Sequence, residues 1–444
     1  MQVSPLTPPS LWQMSAVCFS DSSAFDNRIG RPFREGRIVS LEDKTRGVDS
    51  LPGAEQWIQA SSAERLRSAR ASILLVTNVF DPVPGGISVY VRRLFAALTS
   101  RGLRCRVIAY PPLLVEREAR RPHSPFRKLF HVAFLGRVLA AVVAERLRGY
   151  RVVVHSHSAS YCLTAAWLAR WLGARSVHTF HSPLGYRSRL LEWLVPRLDA
   201  VLTVSSKTWQ LYQRLSNVQN DRVALVPGCA SCSPRRIEDG ERAKIRDSLR
   251  ASGVVPFERY ALFVGRLTPD KGVHLAIEAM TKVPSMPQSF GLVVVGPSPP
   301  SPAASAYRSE LEDQSTAAGL NSRIRFAGYV PEERLHDFFT GADVLIVPSI
   351  WEEPAPLVLV EALACGTPVI GTKVGGLPEL IRDRVSGFLI PPETPSEIAR
   401  CLSEILENPN LLLHLREGAL RESKQRFNPD RWASKHVDIY FSVL

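Results

Sequence analysis

Short, almost wholly apolar runs punctuate the chain from residue 72 onward, and helical stretches separate them. The first group is SILLVTNVF (72–80), CRVIAY, RVVVHSH, RSVHTFH, AVLTVS and RVALVPG, with stretches such as SVYVRRLFAALTSRG and YCLTAAWLARWLG between them. Runs of this length that lack polar alternation are strands buried on both faces. Strands alternating with helices predict a parallel sheet covered on both sides. The pattern pauses at CASCSPRRIEDGERAKIRDSLRASGVVPFE, which is polar and carries prolines near its edges, as an inter-domain boundary does. It restarts with YALFVGR, SFGLVVVG, RIRFAGY, ADVLIVPS, TPVIGT and SGFLI.

Two doubly wound, Rossmann-like halves are therefore expected. At 444 residues the chain exceeds one ordinary core, which agrees with two domains. The expected layout is an extension over 1–70, a first domain over 71–232, a linker region over 233–257, a second domain over 258–428 and a final helix over 429–444. The extension is rich in Ser and Pro without sustained apolar periodicity, so it reads as poorly ordered.

Composition narrows the class. No run reaches the roughly 18 apolar residues of a membrane span, and the best candidate, Leu129 to Ala144, is broken by His131 and Arg137. The N-terminus lacks the basic start and apolar core of a secretory signal. Seven scattered cysteines argue against a disulfide framework and for a reducing cytoplasm, and Cys229 with Cys232 reads as a pair of loop thiols. The net charge of +13 asks for an anionic partner. Residues 101–150 hold eleven Arg or Lys against three Glu, and Arg127, Lys128, Arg137, Arg146 and Arg148 flank an apolar helical face. That segment reads either as an interfacial helix on an anionic inner-membrane surface or as a domain helix with a basic solvent side. Nucleic acid is disfavoured, because aromatics are too sparse there for a stacking platform.

Ligands of doubly wound sheets bind beyond the carboxyl ends of the strands, so the chemistry lies in the loops that follow them. After the first strand, Gly85 and Gly86 precede a helix starting near Ile87, leaving its N-terminus open to an anion. His181 follows HTF, and His155, His157 and His178 lie on or at the end of adjacent strands. Zinc is disfavoured for these four, since no carboxylate or Cys shares the ligand spacing. In FVGRLTPDKG, Arg266 and Lys271 offer a fork and a point charge suited to a diphosphate. In IWEEPAPLVLVEALACGTPVIG, Pro356 places a helix start near Leu357, with free N–H groups on Leu357 and Val358. Glu361, one turn in, is positioned for ribose hydroxyls, and Glu353 for the next group along such a ligand.

Taken together, the E-x7-E of Glu353 and Glu361, GRLTPDKG, GGI after the first strand, TFH at His181 and ACGTPVIGTKVGGLPELI resemble family four of the retaining GT-B glycosyltransferases. The resemblance covers residues 72–444, including a last helix of the type that crosses back to the first domain. It implies a central cleft between the domains and a nucleoside-diphosphate sugar as donor, with no separate cofactor. It further implies donor phosphates on Arg266 and Lys271, ribose on Glu361 and donor sugar on Glu353. His181 would line the reaction centre, and Gly86 would meet donor and acceptor. Where many members carry Asn-Gly-Val this chain reads PGCASC (227–232), and their Phe-Gly after the first acid is Ala355-Pro356.

No Asp-x-Asp occurs in the sequence, so no metal site against the diphosphate is expected. A front-face reaction and a nucleophilic carboxylate both remain open. The leading expectation is a retaining, metal-independent hexosyltransferase acting on a glycan, lipid or small-molecule acceptor. A same-fold sugar-nucleotide epimerase, a glycan phosphorylase or a non-catalytic nucleotide-sugar-binding subunit are the alternatives.

Overall fold

The computed structural model describes residues 62–80, 85–111, 126–182, 189–213, 222–284, 286–298 and 302–444. All twelve apolar runs are strands. The first sheet holds β1 (Ala71–Thr77), β2 (Arg104–Ala109), β3 (Arg151–His157), β4 (Arg175–Phe180), β5 (Ala200–Thr203) and β6 (Val223–Leu225) in the order β2-β1-β3-β4-β5-β6. The second holds β7 (Arg259–Val264), β8 (Phe290–Val295), β9 (Ile324–Gly328), β10 (Val344–Val347), β11 (Val369–Thr372) and β12 (Gly387–Ile390) in the order β12-β11-β10-β7-β8-β9. Every pairing is parallel. Continuous burial explains the unalternating sequence: β1, β8, β10 and β11 expose no residue on either face. This is the GT-B arrangement of two Rossmann-like domains.

Strand order reverses between β1 and β3 in one sheet and between β7 and β10 in the other. These switch points splay the adjacent loops apart and leave a crevice at the carboxyl ends of the strands. The loops after β1, β3, β7 and β10 flank these crevices, and the loop after β4 lies next to that of β3.

The helix Pro429–Val443 returns to the first domain. Pro429 occupies its first turn, and the Asn428 side chain caps it by accepting from the N–H groups of Asp430 (2.9 Å) and Arg431 (3.1 Å). Its buried Trp432, Ala433, Val437 and Tyr440 share one core with Tyr90, Leu94 and Leu98 of the helix Gly86–Ser100.

Two stretches depart from the sequence reading. The extension expected over 1–70 yields its end to the helix Ser62–Ser68, whose Leu66 is fully buried and whose Arg65 guanidinium lies over the Phe441 ring at 5.5 Å. Seven residues are too few to display a helical period. Residues 1–61 lie outside the described residues. The expected linker, 233–257, contains the helix Asp239–Ala251, which belongs to the second domain. Its polarity misled because two of its arginines face inward: Arg242 is buried and donates to the carbonyls of Thr340 and Cys365. Arg246 reaches the Gly341 carbonyl (2.6 Å) and buried Asp343 (2.7 Å).

The basic helix Phe126–Leu147 has one face in the core through Phe134, Val138 and Val142. Its outer face exposes Leu129 and Val132. Part of the positive charge is neutralised at buried Glu145, which gathers Arg104 (2.5 Å), Arg148 (3.2 Å) and Arg106 (3.6 Å). Arg104 first, with Ser72 and Arg148, holds its carboxyl below the ordinary value against the opposing effect of burial. Among the described residues no helix is long and apolar enough to cross a membrane.

Candidate active site

A cleft of about 410 Å³ opens between the two sheets, at the switch points. The first domain contributes Gly85, Gly86, Tyr90 and His181, and the second contributes Arg266, Lys271, Glu353, Leu357 and Val358. Eight side-chain or backbone positions were expected at the site. Seven of them line this cleft, and Glu361 does not.

The second-domain half is built by close backbone contacts. Lys271 ends the short turn Pro269–Lys271 after β7, and Gly272 follows at φ +72°, where a Cβ would stand 2.0 Å from the Pro348 carbonyl oxygen. Only glycine lets these loops touch. The loop after β10 is tied down by Ile350 N–H to the Asp270 carbonyl (2.9 Å) and by Thr372 Oγ1 to the Ser349 carbonyl (2.7 Å). Gly376 N–H donates to the Glu353 carbonyl (2.8 Å), and Gly375 at φ +54° has no room for a side chain beside the same residue. The VGGLPEL segment is thus the back wall of the Glu353 loop.

Glu353 is buried, and its Oε2 accepts from Lys271 Nζ, Trp351 Nε1 (3.0 Å) and Ser349 Oγ (3.3 Å). Lys271 also lies over the Trp351 ring at 5.3 Å. The cation is therefore held rigidly by an acid and an aromatic face. The helix Leu357–Ala364 begins immediately after Pro356, as its sequence indicates, so the first-turn N–H groups of Leu357 and Val358 abut the cleft.

Glu361 sits one turn deeper and is fully engaged. Its carboxylate accepts from Arg93 of the first domain, from Ser231 N–H (3.0 Å to each oxygen) and from Ser231 Oγ (2.7 Å). Arg93 also donates to Glu332 (2.6 Å) and to the Cys229 carbonyl (2.6 Å), while neighbouring Arg92 pairs with Glu332. Burial works to lower the Arg93 pKa, and Glu361 with Glu332 outweighs it, so the group is held above its ordinary value. Glu361, the one acid of an otherwise apolar helix, is thus the end of an inter-domain ion cluster. Arg93, Glu332 and Ser231 escaped the sequence reading, because nothing local connects residues 130 to 268 positions apart. The one available signal was the VYVRRL run, where two adjacent arginines follow an apolar turn.

His181 is half-buried and hydrogen-bonded through Nε2 to His157 Nδ1 (3.0 Å), with Tyr90 edge-on at 4.7 Å. Burial, then the nearby His436, pushes its pKa down to about 3. It is neutral at physiological pH and can exchange hydrogen bonds but carries no charge. The other histidines do not converge on a point. His155 bonds Tyr440 (2.6 Å) and Thr179 (2.7 Å), His178 bonds Ser156 (2.8 Å), and among the described residues no three ligating side chains could share a metal.

Comparison with known proteins agrees with this architecture. The family described as glycosyl transferases group 1 matches residues 245–422, and glycosyltransferase family 4 matches residues 84–232. The D-inositol 3-phosphate glycosyltransferase of Acidothermus cellulolyticus is 31% identical over 404 residues, which is 81% of this chain and 86% of the relative. Anabaena Alr3699/HepE, solved in complex with UDP, superposes with a TM-score of 0.65 at 20% identity, covering 84% of this chain and 100% of that one. Its complex with UDP-glucose gives 0.64 at 21% identity over 84% and 100%.

Proposed function

The chain belongs to the glycosyl transferases group 1 family, and from that premise we propose that it transfers a hexose from a nucleoside-diphosphate sugar to an acceptor hydroxyl, with retention and without a metal. One observation carries this reading. A single cleft brings Arg266, Lys271 and a helix N-terminus from one domain against Gly86 and His181 from the other. A diphosphate on the second-domain side would be met by two cations and by the N–H groups of Leu357 and Val358. Preorganised donors of this kind are worth about 3–4 kcal/mol each to a developing negative charge.

In this reading Glu353 holds the donor sugar, Glu361 takes the ribose and neutral His181 hydrogen-bonds at the reaction centre. Glu361 must first release one of its present partners. Among the described residues lining the cleft, Glu353 is the only carboxylate, and its Oε2 already serves Lys271, Trp351 and Ser349. A covalent glycosyl-enzyme would need it as a free nucleophile. The arrangement favours the front-face course, in which the departing phosphate oxygen takes the acceptor proton and the sugar bond forms on the same face.

The UDP and UDP-glucose bound in structures of the same fold make UDP sugars the first donors to try, and the relatives named D-inositol 3-phosphate glycosyltransferases make a phosphorylated inositol the first acceptor. The test is a thermal-shift screen of sugar nucleotides followed by NMR of the product formed from an α-linked donor in EDTA. An α-linked product at undiminished rate is expected. A β-linked product, or activity lost to EDTA and restored by magnesium, would overturn retention or metal independence respectively.

A further inference from the structure

At the opposite end of the first sheet from the cleft, a second groove of about 780 Å³ is lined by five arginines: Arg146, Arg151, Arg170, Arg175 and Arg197. Arg151 and Arg175 open β3 and β4, so the length of a six-residue strand, roughly 20 Å, separates this groove from His181. Asp199 pairs with Arg170 (3.4 Å) and Arg175 (3.5 Å). Among the described residues, Arg146, Arg151 and Arg197 have no carboxylate partner. Five guanidinium groups along one groove, three of them without a carboxylate partner, leave a local excess of positive charge that attracts anions.

Three tryptophans share the groove. Trp167 and Trp193 pack edge to face at 4.8 Å, and Trp171, 77% exposed, stands at 6.4 Å from Trp167. Arg197 lies over the Trp193 ring at 4.3 Å, fixing that ring's orientation. Gly173, at φ +76°, gives Arg146 its place: a side chain there would stand 3.3 Å from the guanidinium. None of these residues lines the cleft, and Trp171 leaves most of a large indole in solvent.

We propose that this groove binds an acidic glycan, its carboxylate or phosphate groups held by the arginines and its sugar rings stacked on the indoles. A recessed site suits a discrete chain better than a membrane, into which anchoring aromatics protrude from a convex surface. The choice of a glycan over a nucleic acid rests on the function proposed above. Acceptor or product chains bearing charge would thereby be held at a second point, away from the reaction.

The test uses the full chain, with tryptophan fluorescence and calorimetry at low salt. The probes are hexagalacturonate for carboxylates, phosphorylated maltodextrin for phosphates, neutral maltohexaose, phosphatidylglycerol vesicles and a dT12 oligonucleotide. At least one acidic glycan should bind and quench fluorescence, and maltohexaose should not. Binding should weaken at least tenfold in Arg151→Ala/Arg175→Ala and, separately, in Trp171→Ala, while UDP binding stays at the wild-type value in both. UDP binding also reports folding, and its failure in the wild type would count against the donor site rather than the groove. The proposal falls if neither acidic glycan binds, if the neutral hexamer binds as well, or if the variants retain full affinity. It falls equally if vesicles or dT12 bind in preference to both glycans and these same variants lose that binding.

Discussion

Replacing Arg93 with Met should destabilise the protein and yet tighten its hold on UDP. A carboxylate presents about four lone-pair sites. At Glu361 all four are taken, by Arg93 and Ser231 N–H on one oxygen and by Ser231 N–H and Oγ on the other. A ribose can reach Glu361 only by displacing a donor. Charge-assisted bonds such as the one to Arg93 are worth about 1.5–3 kcal/mol, and Arg93 recovers part of that because its bonds to Glu332 and the Cys229 carbonyl remain. Removing Arg93 should therefore improve UDP affinity by about 1.4 kcal/mol, roughly tenfold. The same change strands a largely buried Glu361 carboxylate and should lower stability by about 3 kcal/mol. Calorimetry with UDP and with 2′,3′-dideoxy-UDP separates the effects, since only the hydroxyl-bearing nucleotide should gain. An unchanged or weaker UDP affinity in a folded Arg93→Met protein, or an equal gain by the dideoxy compound, would refute the exchange.

Three further outcomes are expected. Lys271→Ala should slow turnover about 100-fold or more, because on the proposed reading it removes a phosphate ligand and it also leaves Glu353 without its cation; near-normal release of UDP would exclude Lys271 from the leaving-group clamp. Burial holds His178 and His181 at about 3 and His436 at about 4, with His155 and His157 also lowered. The unfolded chain therefore binds protons below pH 6.5 that the native state refuses, so stability is lost as pH falls from about 6.5 towards 4. The loss approaches 1.4 kcal/mol per histidine per unit, and urea midpoints equal at pH 6.5 and 5.5 would contradict it. On anionic vesicles at low salt, the exposed Leu129 and Val132 beside Lys128 and Arg137 should support flotation that high salt abolishes; indifference to those vesicles would leave this helix as a solvated face.

The strands and the loops after β1, β7 and β10 were legible because they depend on local pattern: unbroken apolar runs, paired glycines, a proline at a helix start. What stayed hidden depends on contacts between distant positions. Arg93 looks like any surface arginine until the second domain sets Glu332 and Glu361 against it. Arg242 and Arg246 lie in a polar stretch that reads as linker, although their guanidinium groups cap carbonyls and Asp343 inside a domain. Four histidines could be placed on or beside adjacent strands, but the arrival of His436 and the burial of the group could not, since these are properties of β3, β4 and the returning helix together.

That returning helix also sets the order in which the chain can fold during synthesis. Tyr440 supplies the partner of His155 Nδ1, and Trp432 and Val437 fill the core beside Tyr90 and Leu94. Until residues 429–443 emerge from the ribosome, the first domain lacks one wall of its interior. Roughly 200 residues separate β6 from this helix, which at ~5–20 residues per second is roughly 10–40 s of translation. The second domain has its own closed cores and can complete first. Synthesis from the N-terminus therefore leaves the earlier-made domain waiting on the later one, with an apolar surface that a chaperone would find throughout that interval.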